Sequence, residues 1–137
     1  MDDSHMVPMK LTIGPSTEIV NPTKQQVLDA LAGLTEDADS FVILGETEQH
    51  YIQTRKTEYG YALEYREGGH DSHYKSQTTV TLATLSEAFL HYLSKSPHYK
   101  DVVEYEPYVA PARKGCLLVL VSVLLPLLPF FVIPWAK

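Results

Sequence analysis

His70 and His73 stand three residues apart in GGHDSH, with Asp71 between them. Imidazole and carboxylate are metal-ligand types, and on a helix that spacing would turn both rings to one side. The two glycines before them favour a turn instead. Neither a Cys pair nor an HExxH helix completes a ligand set, so no metal or cofactor is expected. Glu58, Glu64 and Glu67 could supply a general acid and a general base. Nothing in their spacing sets the separation between them, and carboxylates are common on exposed strand positions. No serine lies in a Gly-x-Ser-x-Gly turn, no glycine-rich phosphate loop is present, and the one cysteine, Cys116, falls in an apolar run. The expectation is therefore a chain without catalytic residues.

The elements that would position these groups are short. KLTI reads as a first strand, and TEIV extends or follows it. NPTKQQVLDALAGL reads as a helix capped by Asn21, with Pro22 at its first position and Val27, Leu31 and Leu34 facing inward. TEDADS is a polar loop. FVIL is continuously apolar, which predicts a central strand covered on both faces. YIQTR and YALEYR follow as strands. In the second, Tyr61, Leu63 and Tyr65 share one face, and Ala62, Glu64 and Arg66 share the other. HYKSQTTVTL predicts a fourth antiparallel strand. TLSE reads as a capping box, and Leu85, Ala88, Phe89, Tyr92 and Leu93 then recur at helical spacing. DVVEYE predicts a last short strand. The expected fold is α+β: an antiparallel sheet of about five strands with two helices on one face.

Composition divides the 137 residues. Residues 1–5 read as a cloning remnant, 6–106 as one soluble domain, 107–115 as a Pro- and Gly-containing linker and 116–136 as an apolar tail. No signal peptide is recognisable at the start, so export is not expected. The tail, which includes Cys116, Leu120, Leu124, Phe130 and Trp135, carries no charge. About 20 residues at about 1.5 Å each match a bilayer's hydrocarbon thickness. Trp135 lies where an interfacial aromatic belongs. Pro126 and Pro129 would kink a helix there or confine it to part of the run. Arg113 and Lys114 on the near side, against Lys137 on the far side, predict a single-pass anchor in a bacterial inner membrane with the domain in the cytoplasm.

The formal net charge is −6. Between Lys10 and Glu106, eight Lys and Arg stand against fifteen Asp and Glu. That balance argues against direct binding of nucleic acid, which needs clustered cations. It suits a basic protein partner. The exposed polar residues of the 51–74 region are the candidate contacts: Gln53, Arg55, Glu58, Glu64, Arg66, Glu67, Asp71 and His73.

FVILGETEQHYIQ, then GYALEYREGGHDSHY, then TLSEAFLHYL resembles, in that order, the Imm1-type immunity proteins of bacterial polymorphic toxin systems. The resemblance spans residues 41–106. It implies an α+β fold and a non-enzymatic role, binding and neutralising a cognate toxin, often one that attacks nucleic acid. Gln53, Glu64, Arg66 and His73 match the family-like motif positions. The chain departs from the pattern in two places: YLSKSPHY lacks the Gly and Trp expected after the helix, and the apolar tail is foreign to the soluble members. A membrane-anchored adaptor of a secretion system and a small hydrolase using His73 and Glu64 are the alternatives from other classes.

Overall fold

The computed structural model describes residues 7–108 of the chain. Seven strands form one antiparallel sheet. In chain order they are β1 (Lys10–Ile13), β2 (Thr17–Val20), β3 (Val42–Thr47), β4 (His50–Thr57), β5 (Gly60–Glu67), β6 (His73–Ser76) and β7 (Tyr105–Pro107). Helix α1 (Lys24–Ala32) lies between β2 and β3, and α2 (Leu82–Leu93) between β6 and β7. Across the sheet the order is β2-β1-β3-β4-β5-β6-β7. The α+β class and antiparallel sheet agree with the sequence reading. The described residues hold seven strands rather than about five; TEIV is one of the additional ones, forming a hairpin with β1.

Residues directly opposite on paired strands share a face, so the register sorts every side chain. Leu11, Leu44, Ile52 and Tyr65 fall in one row, and Ile13, Val42, Thr54 and Leu63 in the next. The core is built on these rows. Val27, Ala30 and Leu31 of α1 and Leu85, Ala88, Phe89 and Tyr92 of α2 are buried in the same cluster. The opposite face carries no helix among the described residues. That corrects the reading of FVIL as covered on both sides: Val42 and Leu44 are buried, whereas Ile43 points to the open face and is half-buried.

Both helices start later or earlier than their sequences suggest. Asn21 does not cap α1. It takes a left-handed conformation with φ 53°, and Thr23 caps instead. The Thr23 hydroxyl accepts from the Gln26 backbone N–H at 3.1 Å, and the Gln26 side chain accepts from Thr23 N–H at 2.9 Å, a reciprocal capping box. In α2 the cap is Thr81, whose hydroxyl accepts from Thr84 N–H at 3.2 Å. Thr84, expected as the cap, lies within the first turn. A threonine three residues upstream can satisfy the same free N–H groups, and the helix gains a turn by using it. The segment DVVEYE is a strand only from Tyr105 onward; residues 101–103 are a turn. Pro107, placed in the linker by the sequence reading, closes β7. Its missing N–H is tolerated on an edge strand. Residues 109–115 and the whole 116–136 tail lie outside the described residues. Among the described residues no helix is long and apolar enough to cross a membrane.

Candidate functional site

The open face is organised by two cross-strand rows. One runs Lys10, Gly45, Tyr51, Arg66, His73. The other runs Thr12, Ile43, Gln53, Glu64, Lys75, Glu106. Where these rows cross β4, β5 and β6, polar groups meet. Gln53 Nε2 donates to Glu64 Oε1 at 2.8 Å, and His73 Nε2 lies 3.0 Å from the same oxygen. The side chains of Glu64 and His73 are 18% and 17% exposed. A carboxylate so far withdrawn from water needs donors, and this one has two. Tyr108 lays its ring against His73 at 4.5 Å between centroids, and Tyr51 meets the imidazole edge-on at 6.3 Å. Gln53, Glu64 and His73, three residues carried over from the family resemblance, are thus one hydrogen-bonded unit. The fourth, Arg66, is the cross-strand partner of both Tyr51 and His73.

The other candidates are dispersed. Arg55 turns its Nη1 to the carbonyl of Ala38 at 2.6 Å and stacks its guanidinium 5.7 Å from the centre of the Phe41 ring. It ties the 35–40 loop to the sheet. Glu67 has the parity of Tyr65 and so faces the helix side, where it accepts from Lys100 Nζ at 2.8 Å and Tyr99 OH at 3.3 Å. Burial first, and the Glu67 charge second, push the Tyr65 phenol up to about 12 and raise that of Tyr99 as well. Glu58 stands in the turn joining β4 to β5. Asp71 stands in the 3-10 turn His70–Ser72 at the other end of β5. Seven strand steps separate these ends, about 23 Å at about 3.3 Å per residue. No surface patch of ordinary curvature brings Glu58 and Asp71 to the same few contacts.

The hydrogen-bonded unit borders a cleft of about 370 Å³ lined by Phe41, Ile43, Arg55, Ala62 and Tyr108 as well. Sequence reasoning missed Phe41, Ile43 and Tyr108. The signal for Tyr108 was the alternation of YEPY, in which Glu106 and Tyr108 share a side opposite Tyr105. The proline obscured it. Charge on this face is mixed. Lys10 pairs with Glu18 at 3.6 Å and Lys75 with Glu106 at 3.7 Å, alongside Arg55, Arg66 and Glu64. The carboxylate excess of the domain lies elsewhere. Among the described residues no group of three or more His, Cys, Asp or Glu could hold a metal ion. Chemically, the unit offers one carboxylate with an imidazole partner, a planar amide, and aromatic rings on either side. The aromatic and apolar groups around it, Tyr51, Phe41, Ile43 and Tyr108, are of the kind enriched at the core of protein contacts, and the polar unit lies among them. No protein-family model matches the chain, and neither a curated protein nor a solved structure is significantly similar to it.

Proposed function

We propose that the chain is an immunity protein that binds and neutralises a cognate toxin through the open face of its sheet, held at a membrane by residues 116–136. The observation that carries this reading is the sheet face that no helix covers among the described residues. Among the described residues both α-helices lie on one side of the sheet, and the other side presents Gln53, Glu64 and His73 at the border of a cleft, with Tyr51 and Arg66 paired across strands beside them. Tyr and Arg are the side chains that most often anchor protein interfaces. Glu64, Gln53 and His73 already hold one another, so little side-chain entropy is lost when a partner docks.

The test is protection. Cells expressing a neighbouring-gene product that is toxic by itself should survive when they also carry the wild-type protein. They should die when it carries Tyr51→Ala with Arg66→Ala, at equal folded protein. Full protection by that double variant would move the interface off this face.

The His73–Glu64 contact at 3.0 Å at the edge of a cleft supports one second reading, a small hydrolase in which His73 serves as general base. Glu64→Gln separates the two. An inhibitor keeps most of its binding with a neutral isostere, whereas a base oriented by a carboxylate loses turnover by orders of magnitude.

A further inference from the structure

A second concave surface lies toward the β1–β2 edge of the sheet, next to the first cleft and sharing Phe41 with it. It is a groove of about 540 Å³ between the β1–β2 hairpin, the C-terminal half of α1 and the 35–40 loop. Its floor is apolar, from Ile13, Ile19, Ala30, Leu34 and Phe41. Its rim carries Asp29, Asp37 and Asp39 and not one Lys or Arg. All three aspartates are exposed, and none stands in an ion pair among the described residues. Here three carboxylates border one apolar surface.

We infer that this groove docks a protein segment in which an apolar side chain is flanked by Lys or Arg. The floor takes the apolar side chain and the methylene stems of the cations, and their heads reach the rim carboxylates. The wall is already held in place. Thr35 N–H donates to Ser40 Oγ at 2.9 Å, Ser40 N–H to the Asp37 carbonyl at 3.0 Å, and Arg55 to the Ala38 carbonyl from behind. Gly14 N–H donates to the Phe41 carbonyl at 2.9 Å, and with φ 64° it closes the turn beside Asp39. A groove whose loop is fixed before the partner arrives spends little binding energy on ordering it. The inference extends the inhibitor reading by giving a basic partner a second contact. Its test needs no toxin, so the two can fail separately.

Gly33 offers a clean block. Its φ is −88°, and a Cβ there would meet only the carbonyls of Asp29 and Ala30, at 3.5 and 3.8 Å. Gly33→Leu therefore places bulk in the groove without backbone strain and leaves every charge in place. The probe is a synthetic peptide alternating Leu and Ile with Lys and Arg, titrated into the full chain held in zwitterionic lipid nanodiscs, with empty discs as reference. Wild type should bind it, and binding should weaken with added salt. Gly33→Leu and Asp37→Lys with Asp39→Lys should each weaken it about tenfold or more, about 1.4 kcal/mol. Tyr51→Ala with Arg66→Ala should not. Equal affinity of Gly33→Leu and wild type would reduce the attraction to diffuse charge and overturn the proposal. So would equal binding of a peptide with Glu in place of Lys and Arg. A wild-type dimer that Gly33→Leu dissociates would show the groove filled by a second copy and would overturn it too.

Discussion

Glu64 accepts two hydrogen bonds on one oxygen while less than a fifth of its side chain meets solvent. Removing it leaves the Gln53 amide and the His73 ring without their partner. Glu64→Ala should therefore cost about 1–3 kcal/mol in a denaturant melt. Glu64→Gln, which still offers an oxygen to Gln53, should cost less. Equal losses would mean that packing, not hydrogen bonding, holds the residue. The tyrosines on the helix side set a second behaviour. Burial, reinforced by Glu67, raises Tyr65 to about 12 from an ordinary 10.0, and burial raises Tyr92, Tyr99 and Tyr105 above their ordinary value as well. Folded protein thus keeps phenol protons that the unfolded chain gives up. Stability should be unaffected by these groups below about pH 9, then fall as pH rises from about 10 toward 12. Ionisation of these four phenols should accompany the unfolding transition rather than precede it. The faces of Leu63, Glu64 and Arg66 were legible in the alternation of YALEYR. That Glu64 touches Gln53 and His73 was not, since register depends on turn geometry that residue type alone leaves open. Arg55 and Glu67 illustrate the limit. Both read as exposed contacts, yet one braces a loop and the other lies across the sheet from the site.

At the scale of elements, α2 is the part most plainly written in the sequence. Leu85, Ala88, Phe89 and Tyr92 are buried as their spacing requires, and Leu93 is half-buried at the edge of the core. Phe89→Ala should cost about 3–5 kcal/mol, read as a lower denaturation midpoint with an unchanged slope. The cap separates two positions that the sequence alone confuses. Thr81→Ala should cost about 1 kcal/mol and Thr84→Ala much less, because Thr81 supplies the capping oxygen. Strand β3 was misread for a physical reason. A continuous apolar run signals burial on both faces, but Ile43 is covered only in part by its neighbours on the open face. The register shift between Gly45 and Thr47 was also invisible. Gly45 lies so close to Tyr51 that an added Cβ would fall 2.5 Å from the Tyr51 Cβ, so Gly45→Ala should disrupt the β3–β4 pairing. A loss of thermal stability well beyond that of an exposed Gly→Ala change would confirm it.

For the molecule as a whole, the antiparallel α+β class followed from elements whose order could be read along the chain, with sheet order and edges set by long-range pairing. The described fold ends at Tyr108, whose ring rests on the open face beside His73. Seven residues, 109–115, lead to the apolar run, a reach of at most about 24 Å at about 3.4 Å per residue. Tethering within that distance would raise the effective concentration of the domain toward a toxin arriving at the membrane. The full chain should accordingly sediment with membranes, and a chain ending at residue 108 should stay in the supernatant with its melting transition intact. The central claim, a toxin held on the open face, is tested most directly by titrating the full chain against any toxic product of a neighbouring gene, at two salt concentrations. Wild type, Tyr51→Ala with Arg66→Ala, and Gly33→Leu are compared. The account predicts tight binding by wild type and a loss of at least a hundredfold in the open-face variant, expressed mainly in the off-rate. Wild-type binding undiminished in the open-face variant, or no binding by wild type at all, would contradict it.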